Sequence, residues 1–116
     1  YYQRGLAINQ VLQQDKAATL HMLQGTLHFL PEQQVLNVYL KAQANYHLPD
    51  HISVSFSHSV HQELDQTITL ERIADDAYQG NLSNLINGLW YIQIRADNWR
   101  LLKAINLPAE EIVLTP

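Results

Sequence analysis

Apolar and polar residues alternate in seven short stretches of this chain, between about residues 20 and 107. A two-residue period is typical of β-strands that bury one face and expose the other. The clearest case is the run Ile52, Val54 and Phe56, in which serines occupy the intervening positions. Turn signals such as Asn87-Gly88 separate the stretches, which recur roughly every 8–12 residues, as in sandwiches and barrels.

These stretches predict a mainly β fold. We expect a seven-stranded antiparallel immunoglobulin-like β-sandwich over residues 20–107, with a small closed barrel as the alternative. The phase of the strand that begins at Trp99 cannot be assigned from the pattern, so its inward face stays open. Residues 108–116 follow the last predicted strand and are expected to form a C-terminal tail.

A different period precedes the strands. Residues 1–19 are rich in good helix formers, and apolar pairs that include Ile8, Leu12 and Ala18 recur near one face. Glutamines and Asp15 lie largely opposite. Because the apolar stripe is narrow, we expect a helix that docks on the β domain or leads out of it.

Composition narrows the class of function. With 116 residues the chain is one domain, and 47% hydrophobic residues indicate a globular fold. The formal net charge is -4, and the 7 Lys and Arg residues are scattered, which argues against a nucleic-acid interface. The absence of cysteine excludes disulfides, thiolate metal sites and a thiol nucleophile.

Histidine and methionine are the first candidates for chemistry. His21 adjoins Met22, and His58 lies three residues before His61. Imidazole and thioether groups suit copper, so these four residues are the candidate metal ligands. Strand alternation would send the rings of the last pair to opposite faces, and His58 continues the inward phase of its strand to the rim of the sandwich. There its ring could instead be bound by backbone or by a neighbour such as Asp65.

Signatures of enzymes are lacking. The chain contains no G-x-S-x-G, no glycine-rich phosphate loop and no H-E-x-x-H, so we expect no enzyme activity. Trp90 shares the phase of its apolar neighbours and is expected in the core. Tyr91 and Trp99 remain candidates for contact with a partner.

Three stretches resemble the FixH family. YYQRGLAIN at residues 1–9 is similar to its juxtamembrane signature, in which an aromatic pair and a basic residue precede Gly-Leu-Ala-x-Asn. VSFSHSVHQELDQTITL at 54–70 resembles a strand–His–loop–Asp–strand element, with His58 and Asp65 in matching places. The closing portion is similar at YQG (78–80), GLW (88–90) and Trp99. Ser59 departs from the pattern, because family members often carry proline there.

The resemblance implies a function that composition alone does not reach. FixH proteins have one N-terminal helix in the bacterial inner membrane and a periplasmic domain, and they assist maturation of a cbb-type cytochrome c oxidase. The expected partners are membrane-embedded oxidase subunits or a copper-transporting ATPase. On this basis the anchor lies upstream of Tyr1, and the first helix rises from the bilayer.

Two mechanisms stay open, together with the broader alternative of a generic immunoglobulin-like binding module. The first is copper handling by surface histidines, with copper as cargo and no resident cofactor assigned. The second is a metal-free interaction module, whose partner contacts are expected at Tyr91, Trp99 and Asn9. We favour the second for this domain.

Overall fold

The computed structural model describes the backbone of residues 2–116 and the side chains from residue 8 onward. Within this part of the chain, one helix precedes eight antiparallel strands and a short 3-10 helix at Gln62–Leu64. The elements are α1 (Tyr2–Leu20), β1 (Gln24–Leu30), β2 (Val35–Lys41), β3 (His51–His58), β4 (Gln66–Arg72), β5 (Ala77–Asn81), β6 (Gly88–Ala96), β7 (Trp99–Leu107) and β8 (Glu111–Leu114).

The strands follow the order β7-β6-β3-β4-β5-β2-β1-β8. Only two residue pairs join β4 to β5, Glu71 with Gln79 and Arg72 with Tyr78, so the sheet folds over at this junction. One half, β5-β2-β1-β8, then packs against the other, β4-β3-β6-β7. Gly25 of β1 shows how close the halves are, because an added Cβ would lie 2.6 Å from Cδ1 of Ile94 in β6.

The alternating residues of both halves form one hydrophobic core. Every strand contributes inward-facing residues, and the largest buried side chains are Trp90, Trp99, Tyr78 and Phe56. In a fold of this size, close packing of such side chains supplies most of the stability. Trp90 is therefore in the core, as the sequence predicted.

Trp99 requires a correction. We expected it to be available for contact with a partner, but its side chain is completely buried. The strand β7 places Trp99 and Leu101 on its inward face, with Arg100 between them on the outer face. Alternation along this strand thus assigns the phase that the sequence left open.

The fold class is confirmed as mainly β, with one N-terminal helix and an antiparallel sheet. The structure has eight strands, whereas the sequence predicted seven. The additional strand, β8, lies within residues 108–116, where we expected a tail, and pairs with β1 from Gly25 to His28. The pairings β2–β5 and β3–β6 are those of an immunoglobulin-like sandwich.

The chain connections gather at the two ends of the sandwich. The groove end, named for an apolar groove that opens there, comprises the connections at residues 31–34, 59–65, 82–87 and 108–110. The helix end comprises residues 21–23, which follow α1, and the connections at 42–50, 73–76 and 97–98. Strands of seven to nine residues span most of the distance between these ends, at about 3.3 Å per residue.

The helix α1 packs on β7 through only part of the predicted stripe. Ala18 is buried and Val11 half-buried, whereas Ile8 and Leu12 are exposed. The outer face of β7 is polar at Arg100, whose Nε donates to Oδ1 of Asp15 at 2.7 Å. The docked face of the helix therefore includes Asp15 as well as Val11 and Ala18. In the described part of the chain, no helix combines the length and apolar character needed to cross a membrane.

Candidate functional site

An apolar groove of about 650 Å³ opens at the groove end, between the two halves of the sheet. Its walls are aliphatic and aromatic side chains from five separate segments of the chain. Its polar side chains are those of Asn84, Asn87 and Glu110. The apolar lining comprises Leu27, Phe29, Pro31, Leu36, Phe56, Leu82, Leu85, Leu107, Pro108, Ala109 and Ile112. A concave apolar surface with a few polar groups is the usual form of a binding site.

Beside the groove, the connection between β3 and β4 is fixed around His58. The backbone N–H groups of Val60 and His61 both donate to its Nδ1, each at 3.0 Å. Asp65 accepts a hydrogen bond from the backbone N–H of His58 at 2.9 Å. These bonds hold the connection in one conformation, so His58 organises the rim.

The imidazole of His58 also packs on the core. Its ring meets the edge of Trp90 at 4.9 Å between centroids. Gly88, at φ +135°, lies so close that an added Cβ would be 2.9 Å from Nε2 of His58. A side chain at residue 88 would therefore be strained by both its backbone conformation and this contact.

These hydrogen bonds determine what His58 can do as a ligand. Because Nδ1 accepts from two N–H groups, the hydrogen-bond pattern assigns the proton of the neutral ring to Nε2. A metal at Nε2 would require that proton to move to Nδ1, against the two donors already there. The bonding that the structure shows therefore leaves neither nitrogen ready to coordinate a metal.

The structure separates the four candidate metal ligands. The rings of His58 and His61 lie 5.1 Å apart on the same rim, because the chain turns after the strand and alternation no longer applies. His61 pairs with Glu63, at 3.2 Å from Nδ1 to the carboxylate. His21 and Met22 lie at the helix end, so one ion cannot contact all four residues.

Histidine and carboxylate side chains elsewhere in the described chain are dispersed. Nowhere among residues whose side chains are described do three or more His, Cys, Asp or Glu side chains gather to hold a metal ion. At the helix end, the ring of His21 stacks on Tyr46 with centroids 4.0 Å apart.

The candidate partner residues have different environments. Tyr91 is exposed on the outer face of β6, and Asn9 is exposed on α1. Trp99 is buried and donates its Nε1 proton to the hydroxyl of Tyr46 at 2.7 Å. Of these three predicted contact residues, only Tyr91 and Asn9 are therefore on the surface. Neither of them lines the groove.

The tyrosines of the helix end are bound internally. Tyr46 donates to Oδ2 of Asp97 at 3.0 Å, and Tyr78 donates to the carbonyl of Pro49. Burial raises the pKa of the Tyr46 hydroxyl, and it raises the pKa of Tyr78 to about 12. Since these polar groups already have partners within the chain, the groove end is the stronger candidate for a functional site.

Comparison with known proteins gives one family. A protein-family model described as FixH matches residues 1–106, which is most of the chain. Searches of curated proteins and of solved structures returned no match.

Proposed function

The chain belongs to the FixH family, and from this premise we propose that it is a non-enzymatic accessory domain in the maturation of a cbb-type cytochrome c oxidase. It acts by binding another protein through the groove end. The expected partners are membrane-embedded oxidase subunits or a copper-transporting ATPase. Copper, the cargo of this process, is held by those partners and not by the histidines of this domain.

The observation that carries the proposal is the apolar groove on a fixed scaffold. Binding costs less free energy when the surface is already ordered, because fewer side chains and loops must be immobilised. Here the strands define the groove walls, and the His58 hydrogen bonds fix the neighbouring connection. The groove end thus has the geometry of a preformed protein-binding surface.

We further propose a periplasmic location with an anchor upstream of Tyr1. The support is family membership, together with the resemblance of residues 1–9 to a juxtamembrane signature. A fusion of alkaline phosphatase after Pro116 of the full-length protein should be active in a bacterial host, because that enzyme matures only outside the cytoplasm. Activity of a cytoplasmic reporter at the same position would contradict this location.

The proposed contact can be tested with two isoleucines. Ile86, at the groove end, is 49% exposed, and Ile73, at the helix end, is 59% exposed. Both lie in connections between strands, so replacement of either by glutamate should cost little stability. The full-length variants should be expressed in cells that lack their own FixH protein.

We expect Ile86→Glu to abolish oxidase maturation and Ile73→Glu to preserve it. The readouts are cytochrome c oxidase activity, the amount of assembled oxidase in membranes, and the level of each variant. Normal maturation with a stable Ile86→Glu variant would refute the contact. Equal loss with both variants would also refute it, since the effect would then not depend on the groove.

A further inference from the structure

The charges of this domain are unevenly distributed. Four of its eleven carboxylates lie in the connections of the groove end, and a fifth, Glu111, adjoins them as the first residue of β8. Of the six Lys and Arg residues whose side chains are described, none lies there. The five acidic residues are Glu32, Glu63, Asp65, Glu110 and Glu111.

Some of these carboxylates have partners and others do not. Asp65 binds the backbone of His58, and Glu63 pairs with His61. Glu32, Glu110 and Glu111 form no ion pair with any side chain that the structure describes. Glu110 also lines the groove, so negative charge lies at the edge of the apolar surface.

Exposed apolar side chains accompany this charge. Leu30, Val60 and Ile86 belong to, or adjoin, three different connections of the groove end, and each is substantially exposed. They extend the apolar surface beyond the groove. A partner that covered both the groove and these exposed side chains would bury apolar area at the centre of the interface. The carboxylates would lie around that centre.

We propose that the groove receives an apolar segment of a partner protein that carries Lys or Arg residues beside it. This deepens, and rests on, the proposed function by naming the chemistry of the partner at the same site. The apolar part supplies binding energy, and the basic residues supply orientation and faster association through electrostatic complementarity.

The same charges disfavour other occupants. Phosphate groups and the anionic surface of a membrane would be repelled by the five carboxylates. Lys103 of β7 reaches β8, but its ammonium group already donates to the carbonyl of Val113 at 3.0 Å. An acidic protein segment would be repelled likewise. The basic, apolar class is therefore the one that both features of the groove end fit.

Peptide selection would test this without assuming a sequence. A library of random 12-residue peptides should be selected on the full chain, on Ile86→Glu, and on the control Ile73→Glu. Peptides that bind the wild type and the control, but not Ile86→Glu, define the groove binders. We expect these to be apolar at their centre and enriched in Lys and Arg relative to the library.

Charge removal provides the second arm. Replacement of Glu110 by Gln should weaken each groove binder by about two- to five-fold, with a further loss of similar size for Glu111→Gln, as for partly exposed charge pairs. Asp75→Asn and Asp76→Asn, in a connection of the helix end, should leave affinity unchanged. Added salt should reduce the difference between wild type and the glutamine variants.

Three results would overturn the inference. The first is a set of groove binders with no excess of basic residues. The second is affinity that does not respond to Glu110→Gln and Glu111→Gln. The third is Ile86-dependent binding to vesicles of phosphatidylglycerol, which would make lipid the occupant. If any of these is found while Ile86→Glu still abolishes maturation, the partner contact stands and only its chemistry is wrong.

Discussion

The two ends of the sandwich differ in how they use their polar groups. At the helix end, Arg100 pairs with Asp15 at 2.7 Å and Arg72 with Asp50 at 3.5 Å. A chain of hydrogen bonds there runs from the Trp99 indole through Tyr46 to Asp97. Asp75 and Asp76 at the helix end have no such partner among the described side chains. The same holds for Glu32 and Glu110 at the groove end and for the adjoining Glu111, but these three border an apolar groove.

This difference separates structure from function. A polar group that is bound within the chain stabilises the fold and has little left to offer another molecule. Charges and apolar surface without internal partners contribute little to folding but remain available for binding. The helix end thus stabilises the domain, whereas the groove end offers apolar surface and charge to the proposed partner.

The largest expected effect on stability concerns Trp99, which the sequence could not distinguish from Tyr91 as a surface residue. Trp99→Ala should lower the free energy of unfolding by about 3–5 kcal/mol, because it empties a large volume in the core. Tyr91→Ala removes an exposed side chain and should change it by less than about 0.5 kcal/mol. Urea denaturation of both variants gives the two values. Similar losses would mean that Trp99 is not buried as described.

A smaller effect is expected at the rim of the groove. His58→Ala removes the acceptor of two backbone N–H groups and should cost about 1–2 kcal/mol, since water can replace part of what is lost. Ser59→Ala is the neighbouring control and should be nearly neutral. Calorimetric titration with cuprous and cupric ions should give the same result for wild type and His58→Ala. Copper affinity that disappears with His58 would contradict the assignment of its hydrogen bonds.

A tyrosine beside the helix end should make the free energy of unfolding depend on pH. The pKa of Tyr78 is raised from 10.0 to about 12, so the folded state holds this proton more tightly than the unfolded state. Its contribution to stability is complete below pH 10 and is lost as the pH rises through 12. Tyr78→Phe should flatten this dependence and cost about 1 kcal/mol at neutral pH through the lost hydrogen bond. An unchanged slope between pH 10 and 12 would show that another group is responsible.

The smallest effect on stability is expected from the ion pair between α1 and β7. Arg100→Gln should cost about 0.5–1 kcal/mol, because the Asp15 carboxylate is half exposed. Hydrogen exchange should accelerate in α1 and stay unchanged in β3, since the helix is held by this ion pair and by Ala18. A double-mutant cycle with Asp15→Asn isolates the pairwise energy. A coupling energy of zero would show that the pair does not hold the helix.

Local pattern predicted the strands well because each strand buries alternate residues. Ile52, Val54 and Phe56 are all buried, as their period required. The pattern failed where several residues are apolar in succession, as at Leu101 and Leu102, since either phase is then possible. It also missed β8, whose four residues are too few to show a period.

The site was less predictable than the fold. The groove lining comes from segments that lie up to 85 residues apart, from Leu27 to Ile112, and no local motif marks it. The docked face of α1 was only partly predicted, because Ala18 and Val11 face the sheet as expected but Asp15, which was placed opposite, faces it too and pairs with Arg100. His58 was recognised, but its role in fixing a turn depends on backbone donors that a sequence does not reveal.

Site-specific crosslinking tests the account most directly. A photoreactive amino acid should replace Ile86 or, as the control, Ile73 in the full-length protein in cells that assemble the oxidase. We predict that position 86 crosslinks to a subunit or assembly protein of the oxidase, at an apolar segment beside Lys or Arg, and that position 73 does not. Crosslinks to the same protein from position 73 alone, or equally from both positions, would contradict the account.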